Sequence, residues 1–369
     1  MTAVAEGRAR RIRMFALLLP VVTLAAQPTA PDATARPRAS ISLLPVLGSA
    51  PETGFQYGVA LFATRAQRSP GGTRPSTIVG NAVRTAKQQT RVFLDTDTWT
   101  EGNRWRVLTN AVWQQYPLAY FGVGDQAPDD AEEPYTPRST ELAVSVHRMV
   151  APALWVQVGA RRIEQTMREV EPSGALASGA VPGGAGGRTV LGTIGLVRDA
   201  RDNLFAATAG HFAELTVSTA DDAIGSEFDF RRVRVDARAY RTLGASHVVA
   251  AQIVAQGTDG VAPFDQVALI GSNSVMRGYV PGRFRDQWST AVQGEYRSPS
   301  RGRWSGAAFA GAAVVAPTVA DLADGRVLPS YGAGLRFRMN PVTRTTVRVD
   351  YARGTAGQGG LYVAFSEAF

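Results

Sequence analysis

Two neighbouring stretches decide the fold. They are Tyr331-Gly-Ala-Gly-Leu-Arg-Phe-Arg-Met-Asn340 and, after Pro341 and Val342, Thr343-Arg-Thr-Thr-Val-Arg-Val-Asp-Tyr-Ala-Arg353. In the first, Tyr331, Ala333, Leu335, Phe337 and Met339 alternate with Gly332, Gly334, Arg336, Arg338 and Asn340. In the second, Thr345, Val347, Val349 and Tyr351 alternate with Arg344, Thr346, Arg348 and Asp350. Period two is the signature of a β-strand with one apolar and one polar face. A soluble sandwich buries the apolar face and wets the polar one. A membrane barrel does the reverse, so alternation alone leaves both open.

Working outward, the same period recurs in Arg232, Arg234, Asp236, Arg238 and Tyr240 against Val233, Val235, Ala237 and Ala239. From Ile41 onward the chain divides into sixteen short segments: 41–48, 55–64, 76–85, 88–98, 104–115, 136–149, 154–168, 187–198, 210–218, 229–242, 246–257, 287–298, 304–314, 331–339, 343–353 and 359–369. Their length suits the roughly 9–11 residues of a tilted membrane strand. The connections 116–135, 169–186, 219–228, 258–286 and 315–330 are long and fall on one rim, while 150–153, 243–245, 299–303 and 340–342 are short and fall on the other. Three joins depart from that phase, 65–75 and 199–209 by being long and 86–87 by being short. Short periplasmic turns facing longer extracellular loops are the rule in outer-membrane barrels. The expected fold is therefore all-β, a 16-stranded antiparallel transmembrane β-barrel. The Gly- and Pro-rich 169–186 connection reads as mobile.

Composition narrows the function classes. Of 369 residues, 19% are charged and 38 are Gly, and there is no Cys. The net charge is +8, with Lys87 the single lysine. The arginines are spread along the chain rather than gathered on one face, which argues against nucleic acid as a partner. At the N-terminus, Arg8, Arg10, Arg11 and Arg13 precede the apolar run Met14–Ala26. That is the pattern of a secretory signal peptide over 1–26, followed by a Pro/Ala-rich linker over 27–40 and the barrel over 41–369.

The most specific motif is Gly271-Ser-Asn-Ser-Val-Met276-Arg277-Gly278-Tyr279-Val-Pro-Gly-Arg283-Phe-Arg-Asp286, followed by a strand carrying Glu295-Tyr-Arg297. With Asp199-Ala-Arg201-Asp202-Asn203 and its following Gly210, and with the Pro45–Gly54 stretch, it resembles the BamA/TamA-like assembly barrels, the bacterial surface antigen family, across about 41–369. Met276 stands where the family's loop signature has Val or Ile. The resemblance implies that the 258–286 loop folds back into the lumen, with Arg277 locked to acidic residues of the wall. Period two puts Glu295 on the lumen face, beside Gln287, Ser289, Ala291, Gln293 and Arg297. A second acid is expected from the next strand, but that stretch reads Phe309-Ala-Gly311, which leaves Glu295 as the expected partner of Arg277. The stretch Gly360–Phe369 resembles the terminal strand signal of such barrels, with Leu361, Val363, Phe365 and Phe369 on one face and Glu367 where an aromatic is common.

By this resemblance the chain inserts or translocates proteins, or serves envelope biogenesis. Outer-membrane lipids are its partners, together with unfolded β-barrel clients or a periplasmic partner. The expected sequence between cleavage site and barrel is too short for POTRA domains. The rival is a passive channel gated by the 258–286 loop, whose inward arginines Arg232, Arg234, Arg238, Arg336, Arg338, Arg344 and Arg348 would favour anions. Salt-bridging of these to acids such as Asp236 and Asp350 is the simpler reading. Aromatics including Trp99, Trp105, Trp113, Tyr116, Tyr120, Trp155, Trp288 and Trp304 are candidates for interfacial girdles. No cofactor, metal or catalytic activity is expected: His147, His211 and His247 lie on separate strands, and no Gly-x-Ser-x-Gly elbow is present.

Overall fold

The computed structural model describes residues 39–50, 54–65, 72–128, 131–341, 343–355 and 357–369. The signal peptide and nearly all of the linker read from the sequence lie outside these residues. So do the tip of the first hairpin and Asp129 and Asp130.

Sixteen long strands form one antiparallel meander: β1 Ala39–Ala50, β2 Gly54–Arg65, β3 Ser76–Thr85, β4 Thr90–Trp99, β5 Trp105–Gln115, β6 Glu133–Ala151, β7 Leu154–Val170, β8 Gly186–Asp199, β9 Gly210–Ala220, β10 Phe230–Leu243, β11 His247–Gly260, β12 Trp288–Arg297, β13 Trp304–Ala316, β14 Leu328–Asn340, β15 Thr345–Arg353 and β16 Gly359–Phe365. Each strand pairs with the next in the chain. Strand β1 begins at Ala39, two residues before the expected start.

Burial resolves the ambiguity left by alternation. On β14 and β15, Tyr331, Leu335 and Tyr351 are 59%, 60% and 54% exposed, whereas Arg336 is 1% and Asp350 0% exposed. The apolar face looks outward and the charged face inward, as a lipid-embedded barrel requires. Trp105 and Trp113 mark the two ends of the outward face of β5. About 26 Å of strand separates them, at roughly 3.3 Å per residue. Trp304 is also outward, but Trp99 and Trp155 are buried against one another at the short-turn rim and Tyr120 packs on Phe264.

The two ends of the meander meet through a ring stack, Phe62 of β2 lying 5.1 Å from Phe365 of β16. The last strand is shorter than the expected 359–369. Ser366 adopts φ +64, the left-handed region, and the alternation stops there. Phe369 therefore does not share a face with Leu361 and Val363. It turns into the barrel and is buried with Ala207, Tyr240, Ala250 and Ala368.

The 169–186 connection is ordered rather than loose. The Ala175 and Leu176 N–H groups donate to the Glu133 carboxylate at 2.8 and 3.0 Å, and Leu176 is buried with Tyr120, Tyr135 and Phe264. Its many glycines fit this close packing. A Cβ on Gly183, for example, would stand 2.5 Å from Pro263.

Candidate functional site: a loop held in the lumen

The long connection between β11 and β12 enters the barrel and packs its middle against the wall. Ile270, Met276, Tyr279 and Phe284 from the loop share a buried cluster with Ala291 of β12, Ala313 and Val315 of β13 and Leu328 of β14. Apolar burial thus fixes the loop body, and its polar groups are matched one by one. The Met276 N–H donates to Gln293 Oε1 at 3.2 Å, and Gln293 Nε2 donates to the Ser274 carbonyl at 2.7 Å. Gly278 has φ +107, and a Cβ there would stand 2.6 Å from the Arg353 backbone. Only glycine permits both that conformation and that approach. Its N–H donates to the Tyr362 hydroxyl at 2.8 Å. The Tyr279 hydroxyl donates to the Pro329 carbonyl at 2.7 Å and accepts from the Thr355 N–H at 3.1 Å.

Arg277 is the centre of the site. Its Nη2 lies 2.7 Å from Glu295 Oε2 and its Nη1 2.5 Å from Asp350 Oδ2, with all three side chains fully buried. The guanidinium lies 3.4 Å from the Phe309 ring centroid, so one face is covered by an aromatic π-system. Around this pair of ion pairs the network spreads. Arg336 contacts both Glu295 and Asp350, and its Nε reaches Glu367 Oε2 at 2.9 Å. Arg348 lies 2.6 Å from Asp350 and donates to the Asn273 carbonyl at 2.5 Å. Arg297 lies 2.8 Å from Glu295 Oε1 and donates to the main-chain oxygens of Ala207 and Phe369 at 2.9 and 2.6 Å. Four guanidiniums thus meet three carboxylates, and each carboxylate touches at least two of them. Shared partners offset the desolvation that each buried charge suffers.

The second acid of the lock is Asp350 on β15, so Arg277 does not rest on Glu295 alone. The aspartate expected on β13 has no room: a Cβ at Gly311 would stand 2.8 Å from the Gln293 side chain, which occupies that part of the wall. Space is instead left opposite Asp350, where a Cβ at Gly334 would collide with its carboxylate. Glu367 likewise replaces the expected aromatic for a reason visible here. It points inward to Arg336 rather than outward to lipid. In the sequence, Asp350 shows only as an acid interleaved in the wall and Glu367 only as a departure from a motif.

The 199–203 motif sits at the short-turn rim. Asp199 pairs with Arg201 at 2.9 Å and with Arg74 at 2.6 Å, and Arg74 lies over the Trp99 and Trp155 rings. Asp202 accepts from the Thr208 and Ala209 N–H groups at 2.8 and 3.1 Å and lies 2.7 Å from Arg344. Partial burial raises the Asp202 carboxyl, but these donors outweigh it and hold the group below the usual carboxylate range. Asn203 Oδ1 caps the Phe205 and Ala206 N–H groups at 2.9 Å, and its amide donates to the Thr343 carbonyl at 3.2 Å. The turn thereby crosses the barrel mouth from β3 to β15. On the way its Phe205 carbonyl accepts the Glu367 N–H at 2.9 Å. The last residues, this turn and the buried ion cluster form one connected assembly.

No curated protein matches the chain by sequence. An Omp85 superfamily domain, however, matches residues 74–360. The chain belongs to the Omp85 superfamily. Among solved structures, BamA from Haemophilus ducreyi lacking POTRA domains 1–3 superposes with a TM-score of 0.58 at 15% identity, over 90% of this chain and 70% of that one. CdiB from Acinetobacter baumannii superposes with a TM-score of 0.52 at 12% identity, over 89% of this chain and 58% of that one. At such identities the likeness is one of fold. This Omp85 chain is an outer-membrane β-barrel, and the outward apolar band and inward charge described above are the physical form of that assignment. Residues 276–279 and Glu295 fall inside the matched region of the Omp85 barrel, as do Asp350 and the 199–203 turn.

Proposed function

We propose that this Omp85 barrel inserts or translocates proteins at the outer membrane without catalysing a covalent reaction. The 258–286 loop is its internal lock, and the β1/β16 junction is where clients engage. The observation that carries this reading is the pairing of a fully buried loop arginine, Arg277, with acids from two wall strands, one of which, carrying Asp350, adjoins that junction. Asp350 lies on β15, directly beside β16, with Tyr362 as its register partner. When the β1/β16 junction opens, its strand edges present N–H and C=O groups to which an incoming strand can pair. The same ion cluster reaches the last strand's end through Glu367, so movement of the loop and movement of the seam are mechanically joined. Lipids of the outer membrane and unfolded β-barrel clients are the partners this mechanism needs.

The test exploits the absence of cysteine. Phe62→Cys and Phe365→Cys, placed where the two rings stack, are bridged with a short methanethiosulfonate cross-linker in the folded barrel. Insertion of a model β-barrel client into vesicles holding the protein is expected to stop on cross-linking and return on reduction. Undiminished insertion in the cross-linked state overturns the seam mechanism. Absence of insertion in every state, together with steady ion conductance, instead identifies a passive channel.

A further inference from the structure

The lumen arginines of the ion cluster all have carboxylates within reach. The outside of the barrel differs. The lipid-facing side of β6 carries exposed Leu142, Val144 and Val150, and on that same face stands Arg148. Its register partner across the ladder is Trp105, and the Arg148 guanidinium lies 5.1 Å from that ring's centroid. Arg104, exposed immediately before β5, is bound to the same place through its carbonyl, which accepts the Met149 N–H at 2.8 Å. Arg104, Trp105 and Arg148 line one open hollow of about 470 Å³ whose floor is Met149–Pro152. Among the described residues neither arginine has a carboxylate within ion-pair distance.

A guanidinium keeps its charge at any accessible pH. Two of them beside an apolar strand face, at the level where an outward Trp marks the headgroup layer, call for a counter-anion from the membrane itself. Phosphate oxygens match the planar fork of Arg in bidentate geometry. Stacking on Trp105 fixes the plane of Arg148 and stops it from folding away toward water. A further arginine beside this turn, Arg198 on the outward face of β8, donates to the Pro152 carbonyl at 2.9 Å. That bond draws the β6–β7 turn toward β8 and helps to form the hollow.

We propose that Arg104 and Arg148, with Trp105, form a binding site for the phosphate of a phospholipid headgroup in the leaflet at the short-turn rim. The proposal rests on the outer-membrane assignment and not on the insertion mechanism, so either can fail without the other. The test is native mass spectrometry of the full chain refolded into micelles and titrated with phosphatidylglycerol, or with inorganic phosphate alone. Arg104→Gln/Arg148→Gln is compared with the wild type, and heat-modifiable migration verifies that each barrel is folded. The wild type is expected to retain one phosphatidylglycerol that the double variant binds about tenfold more weakly. Trp105→Leu should fall between them. If the double variant does not fold, Arg148→Gln alone serves, with the same direction expected. Equal retention by folded wild type and variant overturns the site. Displacement of the lipid by inorganic phosphate at matching concentration overturns its assignment to a headgroup and makes it a soluble-anion site.

Discussion

The two halves of the lumen use the same chemistry in different surroundings. Along β4–β9 the wall carries ion pairs that remain partly wet. Arg106 and Asp97 are paired at 2.8 Å with 16% and 18% side-chain exposure, and Arg161 and Glu141 at 2.9 Å with 35% and 24%. These pairs border an open space of about 420 Å³ reaching from β3 across to β9. Along β12–β15 the 258–286 loop fills the corresponding space, and Arg277, Glu295 and Asp350 have no side-chain exposure at all. Occlusion, more than the kind of residue, turns an ordinary polar wall into a lock. Exposed pairs are worth little, whereas removing one member of a buried network leaves charge stranded in low dielectric.

That contrast fixes an order of mutational effects. The largest is expected from Asp350→Asn, because Asp350 is the carboxylate shared by Arg277, Arg336 and Arg348. A loss of about 3–5 kcal/mol of folded-barrel stability is expected, read as a lower urea midpoint by heat-modifiable gel migration. Glu367→Gln comes next. It weakens contacts to Arg336 and Arg297, charge-assisted bonds worth about 1.5–3 kcal/mol, and it should speed proteolysis of the last residues while leaving the 258–286 loop protected. Arg161→Ala in the wet half, where the pair to Glu141 is a single contact with 35% and 24% exposure, should cost about 0–1 kcal/mol on the ion-pair account. An Arg161→Ala loss as large as that of Asp350→Asn would erase the distinction between the halves.

The sequence makes the wall legible and the lock only partly so. Strand positions follow from period two and loop phase, which are local; β3, read at 76–85, has those bounds. Glu295 faces inward because alternation along one strand requires it. Asp350 sits on an equally clear alternation, yet its meeting with Arg277 depends on where the loop crosses the barrel. That is set by the packing of Met276 and Tyr279 against β13, β14 and Gly354, and no local pattern encodes it. The inward turn of the last residues was hidden for a related reason. A single left-handed residue, Ser366, ends the alternation, and serine carries no signal for that conformation. The order of the 169–186 connection was hidden by its own composition, because small residues suit close packing as well as disorder.

Planar-bilayer conductance of the refolded protein beside a variant lacking residues 270–286 tests the central claim most directly. The account predicts small, flickering currents from the intact chain, since the loop packs inside the lumen against β12–β15, and a stable larger pore once it is removed. A large, steady conductance already present in the intact protein, unchanged by the deletion, would contradict the loop lock.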